Sequence, residues 1–527
     1  MPSPRTPPLL PRSQAFRRYL TTARADQTTP SLSVSAERFG PVSHGEISLR
    51  PLTIFIGPNN SGKSYLAMLI HSILRSHSRA RFGLLLPTIQ RRFNFAEVVD
   101  PRPFLSDFQE QMSLLSGSKS FDPVELPRAL VQRIASPILN EIYETRLTEE
   151  LVGAFACNLR DLVSVGSDHF ALKLKTPAPI ALASLKRKLR IESYPETNLT
   201  IRLAHFVAGR PPSPFATTAL RPTENGFTVE LRAAHGESKL PLALNALVDV
   251  IELVGLHITA GLGRPSHYLP AARSGILQGH RALAASVVDS SRYVGLRKLE
   301  IPPFSGVVAE FISTVLTLPS EKGPLYKLAK EFEKDLIRGE IILRARDKYR
   351  YPEIKYRVGK NELPLHRASS TVSEIAPLII MMKYGVFPGS VLIIEEPEAH
   401  LHPKNQIILA RYLARLVRRN VTVLLTTHSE FLLEQLSSFM LLSRLEPSVR
   451  AQKYHHDPED YLKFDEVGVY VFSESDNPLE HTVRPVEISQ EDGISQDEFI
   501  KVHEALYDEG IRLRRQLSPR DDQPSRQ

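Results

Sequence analysis

The run Leu52-Thr53-Ile54-Phe55-Ile56 leads without a break into Gly57-Pro58-Asn59-Asn60-Ser61-Gly62-Lys63-Ser64. This is the complete spacing of a phosphate-binding loop, with a strand-like run before it and a helical pattern, Ser64 to Ser76, after it. It demands an α/β fold in which one strand ends at the rim of a sheet and a helix begins there. Gly57 and Gly62 let the backbone turn tightly and approach a phosphate. The amides of Pro58's neighbours Asn59, Asn60 and Ser61 line an anion nest, backed by the positive end of the following helix. In such a loop Lys63 reaches the β- and γ-phosphates and the Ser64 hydroxyl ligates Mg²⁺.

A second apolar run, Val391-Leu392-Ile393-Ile394, precedes Glu395-Glu396-Pro397-Glu398-Ala399-His400. Two glutamates at a strand end usually mark a solvated terminus. Beside a phosphate-binding loop they are what a Mg²⁺–nucleotide site needs: one carboxylate for the metal or its water, one to activate the attacking water. Glu395 is assigned to Mg²⁺ and Glu396 to the general base. A third apolar run, Val421 to Leu425, ends in Thr426-Thr427-His428-Ser429. In a parallel sheet its C-terminal end shares the rim with Glu396, which puts His428 within reach of a γ-phosphate or the attacking water. His400 with His402, and His455-His456-Asp457, read as polar loop residues rather than metal sites. Ser369-Ser370-Thr371-Val372-Ser373-Glu374 precedes an apolar helix and reads, by itself, as a helix N-cap.

Strand-like runs of four to six residues alternating with helices indicate βαβ units and a parallel sheet. Strands are predicted at Ser31 to Glu37, Glu46 to Ile56, Phe170 to Lys175, Asn198 to Phe206, Phe227 to Arg232 and His267 to Ala271. Helices are predicted within Leu126 to Glu149 and at Leu242 to Leu262, Pro324 to Ile337, Val372 to Tyr384, Lys404 to Arg418, Ser429 to Leu436 and Gln496 to Leu517. Hairpins are predicted at Glu340 to Arg346 with Glu353 to Val358, and at Glu466 to Phe472 with His481 to Ile488. The expected organisation is a basic disordered arm over 1–30, an ATPase core split between 31–76 and 265–440, a helical and α+β insert over 77–264, a C-terminal hairpin and helix over 441–517, and a disordered tail over 518–527. The arm shares its charge bias with organellar transit peptides, but its prolines break a clean amphipathic helix.

Composition narrows the classes. One cysteine, Cys157, excludes an intrachain disulfide and a cysteine-based zinc site, and fits a reducing cytoplasm. No run of about 18 apolar residues offers a membrane span. The 66 Lys+Arg against 58 Asp+Glu leave a net charge of +8, which permits nucleic-acid contact without demanding it. No internal repeat or heptad pattern is present, against a long coiled-coil arm.

Taken in order, the phosphate loop, the Ser369 segment, the string IIEEPEAHLHP and Thr-Thr-His-Ser resemble the ABC-like AAA-family ATPases related to RecF, to SMC proteins and to the ATPase half of OLD nucleases. The match covers roughly residues 31–76 and 265–440. YLPAARSG, Tyr268 to Gly275, also resembles a stretch of some of these ATPases, with Arg273 near the nucleotide side. The resemblance implies an ABC-type head that binds ATP and Mg²⁺, hydrolyses ATP and dimerises around it. Ser369 and Ser370 then match the signature that completes the partner's site in trans, His428 matches the switch histidine, and Phe39 lies near the adenine. The first acid of the pair departs from the usual aspartate, the signature lacks Ser-Gly-Gly, and Gln90 is the only glutamine-loop candidate. Only about 100 residues follow Thr-Thr-His-Ser, short for a Toprim nuclease domain. The implied roles are a motor or switch acting with DNA or with a separate effector, such as a nuclease or toxin in phage defence. The alternatives are a RecF-like repair clamp on DNA and a non-hydrolysing, nucleotide-gated scaffold.

Overall fold

The computed structural model describes residues 32–78, 98–117, 123–175, 179–185, 187–195, 199–205, 218–223, 226–231, 239–259, 262–279, 305–319, 321–346, 350–475, 477, 480–496, 504 and 506–514. The basic arm, the C-terminal tail and Gln90 lie outside them.

Eleven strands form the principal sheet: β1 (Ser33–Phe39), β2 (Val42–Ser48), β3 (Leu52–Ile56), β4 (Ala171–Lys175), β5 (Ile180–Leu185), β6 (Lys188–Ser193), β7 (Ser266–Leu269), β8 (Val391–Glu395), β9 (Thr422–Thr426), β10 (Val467–Glu474) and β11 (His481–Pro485). Their order is β7-β8-β9-β3-β10-β11-β2-β1-β4-β5-β6. The first five are mutually parallel, and β10 and β11 form an antiparallel hairpin. Beyond β11, which runs parallel to β2, the sheet continues antiparallel through β6. This is an α/β P-loop NTPase fold with a mixed sheet.

Strand alternation divides the core in two. Leu52, Ile54 and Ile56, Leu392 and Ile394, Val423 and Leu425, and Val467, Val469 and Val471 face one core. Phe55, Val391, Ile393, Leu424, Tyr470 and Phe472 face the other. A strand buried on both faces must be apolar at every position, hence the unbroken runs in the sequence. The first core is covered by the helices Tyr326–Leu336, Ser370–Ile380, Pro403–Arg418 and Glu430–Leu442. The second is covered by Lys63–Ser78 and by insert helices that include Arg128–Leu139 and Lys239–Ile258.

Three expectations change. Glu46 to Ile56 is not one strand: the chain leaves the sheet after Ser48, passes Pro51 and re-enters as β3. The segment set apart as a C-terminal hairpin supplies β10 and β11 to the middle of the principal sheet, between β3 and β2. The insert is likewise not wholly separate, since its β4, β5 and β6 extend that sheet from β1.

Candidate functional site

The sheet order sets the acid strand, the Thr-Thr-His-Ser strand and the phosphate-loop strand side by side as β8, β9 and β3. All three end on one rim, and the Thr427 amide donates to the Phe55 carbonyl at 3.0 Å as β9 leaves the sheet.

The loop from Gly57 to Gly62 joins β3 to the helix Lys63–Ser78. Gly57 and Gly62 have φ of 137° and 95°, which side-chain-bearing residues rarely adopt. A Cβ at Gly57 would come within 2.4 Å of the Phe472 carbonyl oxygen, so β10 also demands a glycine there. Pro58, Asn59, Asn60 and Ser64 are exposed, Gly57 is half-buried, and Ser61 and Lys63 are buried. The Lys63 Nζ donates to the carbonyls of Gly57 at 2.9 Å and Pro58 at 2.6 Å. Burial pushes its pKa down from 10.5 to about 8, opposed by the charge of Glu396.

The two neighbouring glutamates face different surroundings. Glu395 ends β8 buried; one carboxylate oxygen accepts from the Tyr268 hydroxyl at 2.7 Å and the other from the Ala271 amide at 3.1 Å. Each of its carboxylate oxygens thus accepts one hydrogen bond from the β7 side. Glu396 is half-buried with a left-handed backbone, φ 42°. Its amide donates to the carbonyl of Thr426 at 3.0 Å. Its charge acts on both Lys63 and His428. His428 is exposed, and burial of part of the ring together with Lys63 lowers its pKa below 6.5.

Ser369 and Ser370 are exposed at the start of the helix Ser370–Ile380, where the Ser369 hydroxyl accepts from the Val372 amide at 3.4 Å. The Thr371 hydroxyl donates to the His400 carbonyl at 3.1 Å, joining this helix to the loop after the acids. Phe39 is corrected: its ring is wholly buried, edge-on to Tyr65, Phe155 and Phe170, and has no face to offer an adenine.

Three contributors were not read from the sequence as part of the site. Tyr268 holds Glu395. Glu398 binds the end of β9. Glu374, 1% exposed, pairs with Arg273 at 2.9 Å. A lone acid within the apolar helix run Val372 to Ile380 was the available sign of a buried ionic partner.

Residues 304–433 match the AAA ATPase domain family. That segment holds Ser369, Ser370, Glu395, Glu396 and His428, while the phosphate loop lies upstream of it. Similar solved structures include an Smc head bound to the C-winged helix domain of ScpA, at 10% identity and TM-score 0.35, covering 86% of this chain and 97% of that one. An Smc head with an extended coiled coil, bound to the C-terminal domain of ScpA from Pyrococcus furiosus, shares 12% identity at TM-score 0.34, covering 90% and 98%. The SMC head domain from Thermotoga maritima shares 11% identity at TM-score 0.30, covering 86% and 98%. No curated protein matches the sequence.

Proposed function

We propose that this chain is a Mg²⁺-dependent ATPase whose nucleotide lies on the loop Gly57 to Ser64. The observation that carries the reading is the convergence of Lys63, Glu396 and His428, from three adjacent strand ends, within electrostatic reach of one another.

The loop amides and Lys63 hold the phosphates; on binding, the Lys63 ammonium exchanges the Gly57 and Pro58 carbonyls for phosphate oxygens. Glu396 takes a proton from the attacking water, and its left-handed backbone turns the carboxylate off the strand toward Lys63. His428 donates a hydrogen bond to a γ-phosphate oxygen. The donor set suits a hard cation: the exposed Ser64 hydroxyl and the rim carboxylates are oxygen ligands of the kind Mg²⁺ takes. Ser64 would hold the ion, and Glu395, whose two oxygens each accept one hydrogen bond and keep a further lone pair, would hold the ion or its water. Bound Mg²⁺ neutralises charge on the β- and γ-phosphates.

The exposed start of the helix at Ser369 and Ser370 supports a dimer in which this dipole end meets the partner's γ-phosphate. Steady-state ATP turnover tests the reading: Glu396→Gln should abolish it while nucleotide still binds. A Glu396→Gln protein turning over at the wild-type rate sinks the mechanism.

A DNA-linked role is favoured by one surface. Arg160, Arg187, Lys188 and Arg190, with Leu185, wall a depression of about 420 Å³; Arg190 is paired with Glu144 at 2.9 Å, which leaves Arg160, Arg187 and Lys188 as its basic contributors. Duplex binding that weakens steeply with salt, and further in Arg187→Glu/Lys188→Glu, would support it. Binding unaffected by both would leave a protein effector as the partner.

A further inference from the structure

Arg273 is 1% exposed, and a buried guanidinium must find acceptors for its donors. Its Nη1 donates to the Glu395 carbonyl at 2.7 Å and to the Pro270 carbonyl at 3.3 Å. Its Nη2 donates to the Glu396 carbonyl at 3.3 Å and lies 2.9 Å from the Glu374 carboxylate. Its Nε donates to the Glu374 carbonyl at 3.1 Å. One side chain thereby grips the two carbonyls that bracket the left-handed Glu396, and both ends of a residue in the helix Ser370–Ile380.

We propose that Arg273 is the positioning residue of Glu396, fixing its strained backbone and tying its orientation to the helix Ser370–Ile380. A non-glycine residue at φ 42° persists only where its surroundings over-determine it. The Glu396 amide is held by Thr426 on one side, and Arg273 supplies the other side through the carbonyls. The fork matters as well as the charge. A lysine keeps a cation against Glu374 but cannot present planar, divergent donors to Glu395, Glu396 and Glu374 together. The Thr371–His400 bond is a second tie between the same helix and the same loop, so displacement of the helix start moves the acid loop with it.

The inference rests on Glu396 as the base, and the experiment separates the two claims. ATP turnover, nucleotide-binding stoichiometry and nucleotide Kd are measured for wild type, Arg273→Lys, Glu396→Gln and the double variant. Expected: Arg273→Lys binds one nucleotide per chain with near wild-type Kd, while kcat falls about 10²-fold, the scale of a misplaced catalytic group. On the Glu396→Gln background, which has no turnover left to lose, the same change leaves nucleotide stoichiometry and Kd where Glu396→Gln alone puts them, because Arg273 acts on the base and not on binding. A purely structural role would lower binding stoichiometry and turnover together and would still act in the double variant. Arg273→Lys with wild-type kcat, or a lowered nucleotide stoichiometry in the double variant relative to Glu396→Gln, overturns the inference. Should Arg273→Lys fail to fold, Thr371→Val tests the second tie: a lowered kcat at unchanged Kd upholds the helix linkage, and an unchanged kcat overturns it. Glu396→Gln at the wild-type rate would instead remove the mechanism on which the inference stands.

Discussion

One carboxylate oxygen of Glu398 accepts the Thr427 hydroxyl at 2.6 Å and also the amide of His428 at 2.9 Å, stitching the loop after β8 to the end of β9. Glu398→Ala leaves the buried Thr427 hydroxyl without this acceptor, at a cost of about 1–3 kcal/mol, while water takes up the exposed His428 amide. Urea unfolding should show a lower midpoint at unchanged slope. Because Thr427 shares the bond, Thr427→Val should cost less on the Glu398→Ala background than alone. Additive losses would mean that the bond does not bind the two strand ends.

Lys63 makes the nucleotide-free protein less stable than its fold allows. Its folded pKa of about 8 lies below the unfolded value near 10.5. The associated stability is therefore present above pH 10.5 and lost as pH falls through 8. Lys63→Met should stabilise the nucleotide-free protein at pH 7 by about 1–3 kcal/mol, with the gain shrinking toward pH 10. Wild type should recover the difference on adding ATP. A Lys63→Met protein less stable than wild type at pH 7 would contradict this.

His428 should titrate below 6.5 in the nucleotide-free protein, because partial burial and the Lys63 charge both disfavour its cation. Histidine hydrogen–deuterium exchange read by mass spectrometry gives the value residue by residue. Lys63→Met should raise it toward 6.5. An unmoved His428 would mean that the two side chains do not share a field.

The strand ends were legible in the sequence because each motif is contiguous: β3, β8 and β9 end at Ile56, Glu395 and Thr426, where Gly57 to Ser64, Glu395-Glu396 and Thr426 to Ser429 stand in adjacent residues. What joins them was not legible. Neither the pairing of β10 with β3 nor the reach of Arg273 to Glu396 leaves a local pattern, since both depend on segments far apart in the chain. Glu395 and Glu396 look equivalent as neighbours, yet the reversal at φ 42° sends them into different environments. Phe39 was placed by resemblance, and its aromatic neighbours from the insert, Phe155 and Phe170, enclose it instead.

The position of β10 has a direct consequence. It is the parallel partner of β3 on the side away from β9, and Phe472 packs against Gly57. Ending the chain at Glu466 would expose the edge of β3 and one wall of the phosphate loop. Such a protein should be insoluble or lack a cooperative unfolding transition. A soluble truncated chain with the wild-type transition would mean that the hairpin is an accessory to the sheet.

The decisive measurement is steady-state ATP turnover with Mg²⁺, comparing wild type with Lys63→Ala and Glu396→Gln. Turnover in wild type, none above background in Lys63→Ala, and retained nucleotide binding without turnover in Glu396→Gln is the expected result. Turnover equal in all three would contradict a site built from Lys63, Glu396 and His428.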